Sequence, residues 1–392
     1  MTAWIESGDC RAVLSEFEDD HFDAVVTDPP YGLSFMGRGW DHGVPGPEFW
    51  TAIMRVAKPG AHLLAFGGTR THHRLMVAIE DAGWEIRDCL MWLHGQGFPK
   101  SQNVAKMMAK KGMAEADDWE GWGTALKPSW EPIVLARKPF TGTVVNNVAE
   151  YGTGAMNIDA TRIATTDAFG GGAHMSDTGE AAALLGRGGY ERGDGWVPGA
   201  EGGRFPANLM LAHHSDCIYE GLTDFKPANG SGTASAKSGG IGGGMFGDGT
   251  PDHVGGPDRG TETIEKWDCH PDCPVGMVDE QSGDVGSGAG NTGAASRFFY
   301  VAKASKAERS VGLPEGVVNK HPTVKPVELM RYLIRLVTPL GGIVLDPFCG
   351  SGTTGVAAIE EGLSFMGIDD DEESVEWASA RLRSAVEAQA ES

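Results

Sequence analysis

Nothing in these 392 residues is built to span a membrane, for no apolar run reaches the length a bilayer requires. The opening "MTAWIESGDC" lacks the charged start and apolar stretch of a secretory leader. A cytoplasmic protein is therefore expected. Cysteine is scarce. Cys10, Cys89, Cys217, Cys269, Cys273 and Cys349 are scattered along the chain, which in a reducing compartment argues for thiols or metal ligands over a disulfide framework. No internal repeat of solenoid length is present, which excludes an array. Positive charge is short as well: 32 Lys and Arg face 54 Asp and Glu, a net charge of −22. Chains that grip nucleic acid usually show the opposite balance. The shortage is uneven, however. Arg297 to Thr338 holds eight basic residues against three acids, whereas Pro339 to Ser392 holds two against eleven. A basic face on an acidic body suits modest, salt-dependent DNA binding.

What is present divides in three. A hydrophobic content of 41% is globular, and the length allows one large domain or two ordinary ones. Residues 1–140 alternate strand-like and helix-like stretches: a strand over 23–27, a helix near 47–57, "AHLLAFGG", a helix over 71–82, then "EIRDCLMWLHG" and "EPIVLARK". Residues 141–296 are crowded with Gly, Ser and Asp, and 239–260 is close to low complexity, so loops are expected. From 297 to 392 the alternation returns through "FFYVAK", "VELMRYLIRLV", "GGIVLD", "TTGVAAIEEG", "SFMGID" and a last helix.

Two motifs stand at strand ends. In "TDPPYG" the prolines cannot donate to a sheet ladder, so the strand must stop at Asp28. In "GGIVLDPFCGSGTTGVAAIEEGLSFMGIDDD" a strand, a glycine turn, a helix, a second strand and an acid follow in order. Gly350 and Gly352 permit a tight turn and close approach of a ligand, and Asp369 is placed for a ribose hydroxyl pair.

Asp346-Pro-Phe-Cys-Gly-Ser-Gly resembles the S-adenosylmethionine motif of DNA amino-methyltransferases, and Asp28-Pro29-Pro30-Tyr31 resembles their catalytic motif. The catalytic motif comes first, which is the order of the β group. "HPTVKPVELM" and "ESGDCRAVL" match segments of the same group, and "GFPKSQNVAKMMAKKG" with "GWGTALKPSWEP" resembles phage-type members. The resemblance implies an α/β, Rossmann-like methyltransferase fold: a doubly wound, mostly parallel sheet with permuted motif order. Residues 1–140 would be its catalytic part, 141–296 an inserted, loop-rich target-recognition region, and 297–392 its cofactor part. It implies S-adenosylmethionine as cofactor. Asp9 and the Cys10 backbone would meet the adenine, and the chain around Phe348, Gly350, Ser351, Gly352 and Thr353 the methionine moiety. Thr323 and Lys325 would receive the carboxylate, and Asp369 the ribose, with Asp28 and Asp346 completing the site. Double-stranded DNA would be the substrate, in host cytoplasm if the chain is phage-encoded. A homodimer and a partner restriction nuclease stay open.

The chemistry asks for such a motif. An exocyclic amine is a poor nucleophile because its lone pair is delocalised into the ring. Acceptors that hold its N–H groups, here the Asp28 carboxylate and the Pro29 carbonyl, make it available. Tyr31 offers a face for a base taken out of the duplex. Bulky residues after the motif, Leu33, Phe35, Met36 and Trp40, narrow the pocket. In the family, Asp at the first position goes more often with adenine. Adenine N6 is the expected target and cytosine N4 the alternative, with RNA or a protein glutamine further off.

The middle region holds "AHHSDC" and "CHPDC". His214, Cys217, Cys269 and Cys273 are taken as ligands of a structural zinc, although spacing alone does not choose between His213 and His214.

Overall fold

A computed structural model describes residues 2–33, 43–95, 97, 101–163, 203–225, 262–282, 295–302, 308–313, 316–317, 319 and 324–391. Phe35, Met36, Trp40, Thr323 and the 239–260 glycine run lie outside them. The chain opens with β1 (Ala3–Ser7), α1 (Cys10–Leu14), β2 (Phe22–Thr27), α2 (Pro47–Val56), β3 (Ala57–Phe66), α3 (His72–Asp81) and β4 (Glu85–Leu93). It continues through α4 (Val104–Lys110), β5 (Trp130–Arg137), α5 (Val144–Tyr151), β6 (Leu209–Ala212), β7 (Ile218–Phe225) and β8 (Glu262–Asp268). α6 (Pro274–Ser282), β9 (Tyr300–Ala302), α7 (Val327–Val337), β10 (Ile343–Asp346), α8 (Thr353–Glu360), β11 (Ser364–Asp369) and α9 (Glu372–Glu391) complete it.

Alternate residues of β2 enter different cores. Ala24 and Val26 face one apolar cluster with α7 and α8, while Val25 faces the other with α1, α2 and α3. A strand buried on both faces must be apolar throughout, so the stretches before Asp28 and Asp346 read as unbroken hydrophobic runs. Among the described residues, nine strands stand in the order β1-β11-β10-β2-β3-β5-β4-β6-β9. β5 runs antiparallel to both its neighbours, and the other pairs are parallel. This is the doubly wound, mostly parallel α/β sheet, with β10 late in the chain yet beside β2.

The helices follow the same logic. α7 buries eight of its eleven residues because it lies between α8 and the sheet. Burial of this kind contributes about 1.5–3 kcal/mol per large aliphatic side chain. α4 has no buried residue and shows Lys106 and Lys110 to solvent, with Lys111 exposed at its C-cap.

Between 141 and 296 the structure is more regular than the composition suggests. Leu209–Ala212 is apolar enough to join the main sheet against β4, and β9 pairs beyond it. β7 and β8 form a separate antiparallel hairpin. Among the described residues, no helix is long and apolar enough to cross a membrane.

Candidate active site

β2 and β10 pair in parallel, so Thr27 and Asp346 end side by side. From there β3 lies to one side and β11 to the other. Such a reversal opens a crevice at the carboxyl ends of the strands. A cavity of about 210 Å³ occupies it. Asp28, Pro29, Pro30, Tyr31, Leu33 and Lys325 form one wall, and Asp346, Phe348, Gly350, Ser351, Thr353 and Asp369 the other. Motifs more than 300 residues apart in sequence therefore share one space.

The glycine wall is held from beneath. Asp346 is buried, and its carboxylate accepts from Thr27 Oγ1 at 2.6 Å, from Phe348 N at 3.2 Å and from Thr354 Oγ1. It thereby ties β2, β10 and α8 together. Burial pushes this carboxyl up to about 7, against the hydrogen bonds from Thr27 and Thr354. Gly350 and Gly352 have φ of 49° and 77°, the left-handed region where a side chain is strained. A Cβ on Gly352 would stand 2.8 Å from that of Ala378. Gly350 N donates to Asp369 Oδ2 at 2.7 Å, so the acid at the end of β11 also anchors the turn. Arg381, which no sequence motif marked, is buried on α9 and donates to Ser351 O at 2.7 Å and Thr353 Oγ1 at 3.0 Å.

The other wall centres on Lys325, 6% exposed. A buried ammonium needs counter-charge. Its Nζ lies 2.6 Å from Asp28 Oδ2 and 3.3 Å from Glu131 Oε2. Lys325, expected at a cofactor carboxylate, lines the cavity with its ammonium on these two acids. Tyr31 Oη sits 2.8 Å from both Asp28 Oδ1 and Glu131 Oε2, with one proton to donate. His94 Nε2 is 3.5 Å from Glu131 Oε1. The two carboxylates diverge. Burial raises Asp28 above the ordinary range, with Glu131 adding to it and Lys325 opposing. Burial acts on Glu131 too, but Lys325 and His94 outweigh it and hold that carboxyl low. Asp28 is thus the more basic acceptor, and Glu131 the fixed anion.

Other expected residues lie elsewhere. Asp9 is the N-cap of α1, accepting from Arg11 N at 2.8 Å and pairing with its guanidinium. Cys10 packs into the core, and neither residue lines the cavity. The metal cluster needs one correction: His213, not His214, joins Cys217, Cys269 and Cys273. Residues two apart on a strand share a face. His213 extends β6, donating its N–H to Ala302 O, and follows Leu211, which is buried beside Cys273. His214 instead stacks on His270, with ring centroids 4.1 Å apart.

Known proteins share parts of this chain. The type II methyltransferase M.HindIII of Haemophilus influenzae is 34% identical over 115 residues, 28% of this chain and 37% of that protein. The DNA adenine methyltransferase YhdJ of Escherichia coli is 45% identical over 62 residues, 16% of this chain and 21% of that protein. The matched stretches thus span about a fifth to two fifths of these relatives. The crystal structure of the M1.HpyAVI–SAM complex aligns with 97% of this chain and 100% of that one, at 15% identity and a TM-score of 0.42. A model of the DNA methylase family matches residues 22–380, a span that takes in both walls of the cavity, and the chain belongs to that family.

Proposed function

We propose that the protein is a site-specific DNA methyltransferase, acting with S-adenosylmethionine on the exocyclic N6 of an adenine flipped out of double-stranded DNA. One observation carries this reading: the raised carboxylate of Asp28 opens into the same cavity as the glycine turn and Asp369. The lining suits the cofactor. Among the described residues, Asp28, Asp346, Asp369, Asp370, Asp371 and Glu373 face it, and Lys325 is engaged by Asp28, so a cation such as a sulfonium is favoured there. Asp369 keeps acceptor capacity for ribose hydroxyls beyond its bonds to Gly350 N and Asp371 N. S-adenosylmethionine supplies an electrophilic methyl group when bound.

The protein's own residues do the rest. Among the described residues, each Asp28 oxygen has one partner, in Tyr31 or Lys325, and retains a lone pair for an amino N–H. Pro29 has no N–H to compete for that amine. Lys325 and Tyr31 hold the acceptor in one orientation, so positioning and electrostatics supply the rate. The exposed lysines of α4 suit phosphate contacts that set the register of the duplex. Adenine is favoured by Asp28 itself and by YhdJ, whose name gives that base.

The test is tritium transfer from labelled cofactor to unmethylated duplex DNA, followed by mass spectrometry of the nucleosides. N6-methyladenine is the expected product. N4-methylcytosine alone would move the target and leave the site chemistry standing. No transfer to DNA, with transfer to RNA or protein, would overturn the substrate.

A further inference from the structure

We propose that His213, Cys217, Cys269 and Cys273 form a closed structural site for one zinc ion, which clamps the β7–β8 hairpin and α6 against the edge of the catalytic sheet. The four side chains come from two segments, the turn after β6 and the knuckle between β8 and α6. Their donor atoms all lie within 4.8 Å of one another. Cys269 Sγ and Cys273 Sγ are each 3.6 Å from His213 Nδ1. A tetrahedral zinc with Zn–S of about 2.3 Å and Zn–N of about 2.0 Å sets that edge at about 3.5 Å. The separation already matches a filled coordination shell.

The surroundings fit a metal better than free thiols. All three cysteines are free, so no disulfide accounts for their convergence. His213 is buried, and its ring stacks on Trp267 at 4.2 Å and 22°, which fixes the direction of Nδ1. His270 N donates to Cys217 Sγ at 3.3 Å, the kind of outer-shell contact that orients a thiolate ligand. Three sulfurs and an imidazole select zinc over hard cations, and four protein ligands leave no open position for catalysis. Among the described residues, the apolar cluster here has Leu211, Cys273 and Val275 buried. So small a core gains much of its folding free energy from a bound ion.

The location gives the clamp its purpose. A side chain on Gly95, next to His94, would collide with Asp272 O inside the knuckle and meet His214 Cδ2 at 3.1 Å. Lys127 pairs with Asp272 at 3.2 Å. The knuckle thus rests on the chain that presents His94 to Glu131.

Elemental analysis of the untagged full chain, purified without added metal, is the test. About one zinc per chain is expected, falling below about a tenth in the Cys269→Ser, Cys273→Ser double variant. Because that variant can unfold, His213→Cys and His214→Ala serve as controls, and both should keep the metal. Cobalt exchanged into wild type should give the visible bands of a tetrahedral thiolate site. Less than about a tenth of a zinc in wild type, or zinc unaffected by the double variant, overturns the site. Loss of zinc in His214→Ala with retention in His213→Ala overturns the ligand set.

Discussion

Lys325→Met removes the ammonium between Asp28 and Glu131. With an effective dielectric of about 20, charges 2.6 Å and 3.3 Å apart attract by about 6 and 5 kcal/mol. The cost of taking three charges out of water offsets most of that, and breaking such a set by removing one partner costs about 3–5 kcal/mol. The variant should unfold at lower temperature by a corresponding margin. Its kinetic consequence is sharper. Asp28 and Glu131 become like-charged neighbours sharing the single Tyr31 proton. With Lys325 gone both carboxyls rise, but His94 still lowers Glu131, so Asp28 takes up the next proton. A protonated acid no longer serves as an anionic acceptor, and methyl transfer near neutral pH should fall about 10²–10³-fold. The sign follows: a raised carboxyl ionises only as pH increases, so the variant should recover rate in alkali relative to wild type. Single-turnover methyl transfer across a pH series, with calorimetry of cofactor binding, reads this directly. A Lys325 that held the cofactor carboxylate would behave otherwise. Weakened cofactor binding, with a variant-to-wild-type rate ratio flat in pH, would refute the reasoning.

Asp28→Ala should lower the single-turnover rate by more than about tenfold (~1.4 kcal/mol of barrier) in a protein that still unfolds cooperatively; a smaller loss removes Asp28 from the centre of the chemistry. Gly352→Val meets both a left-handed backbone and the Ala378 contact. It should cost about 3 kcal/mol in urea unfolding and weaken cofactor binding, and unchanged affinity in a folded variant argues against the turn as the cofactor cradle. Burial, aided by Arg137 and Arg87, lowers His62 from 6.5 to about 4. The unfolded chain then takes up the proton first, and native stability falls by up to about 3 kcal/mol as pH drops from 6.5 to 4. His62→Gln should abolish that acid loss. Asp346, raised by burial to about 7, contributes in the opposite sense, its stabilisation fading as pH rises toward 7. Stability curves of His62→Gln and wild type that run parallel between pH 4 and 6.5 would contradict the assignment.

Much of the frame is legible in the order of the amino acids. β2 and β10 announce themselves because burial on both faces makes them continuous apolar runs, each ended by residues that cannot extend a ladder. The acid beyond each run needs only its place at a strand end to be read as a site residue. Asp9 shows what local reading omits: an acid before a short helix can be a ligand contact, an N-cap or both, and the structure shows the cap of α1. The choice between His213 and His214 depends on the phase of a four-residue strand, β6, in a stretch that composition marks as loop.

The pairing of Glu131 with Lys325 is opaque for a different reason. In "SWEPIVLARK" the glutamate looks like any acid at the start of a strand. Its role arises because β5 runs antiparallel beside β3, which carries its first residues over the end of β2. Its partner Tyr31 is 100 residues away, and Lys325 lies 297 residues from Asp28. Sequence pattern records what each residue does to its own strand or helix, but a pairing of charges across the sheet belongs to topology. Within this site the residues that face the cavity are written locally, as strand ends and turns. The charges that tune them are written globally, and they set which of two neighbouring carboxylates is the basic one.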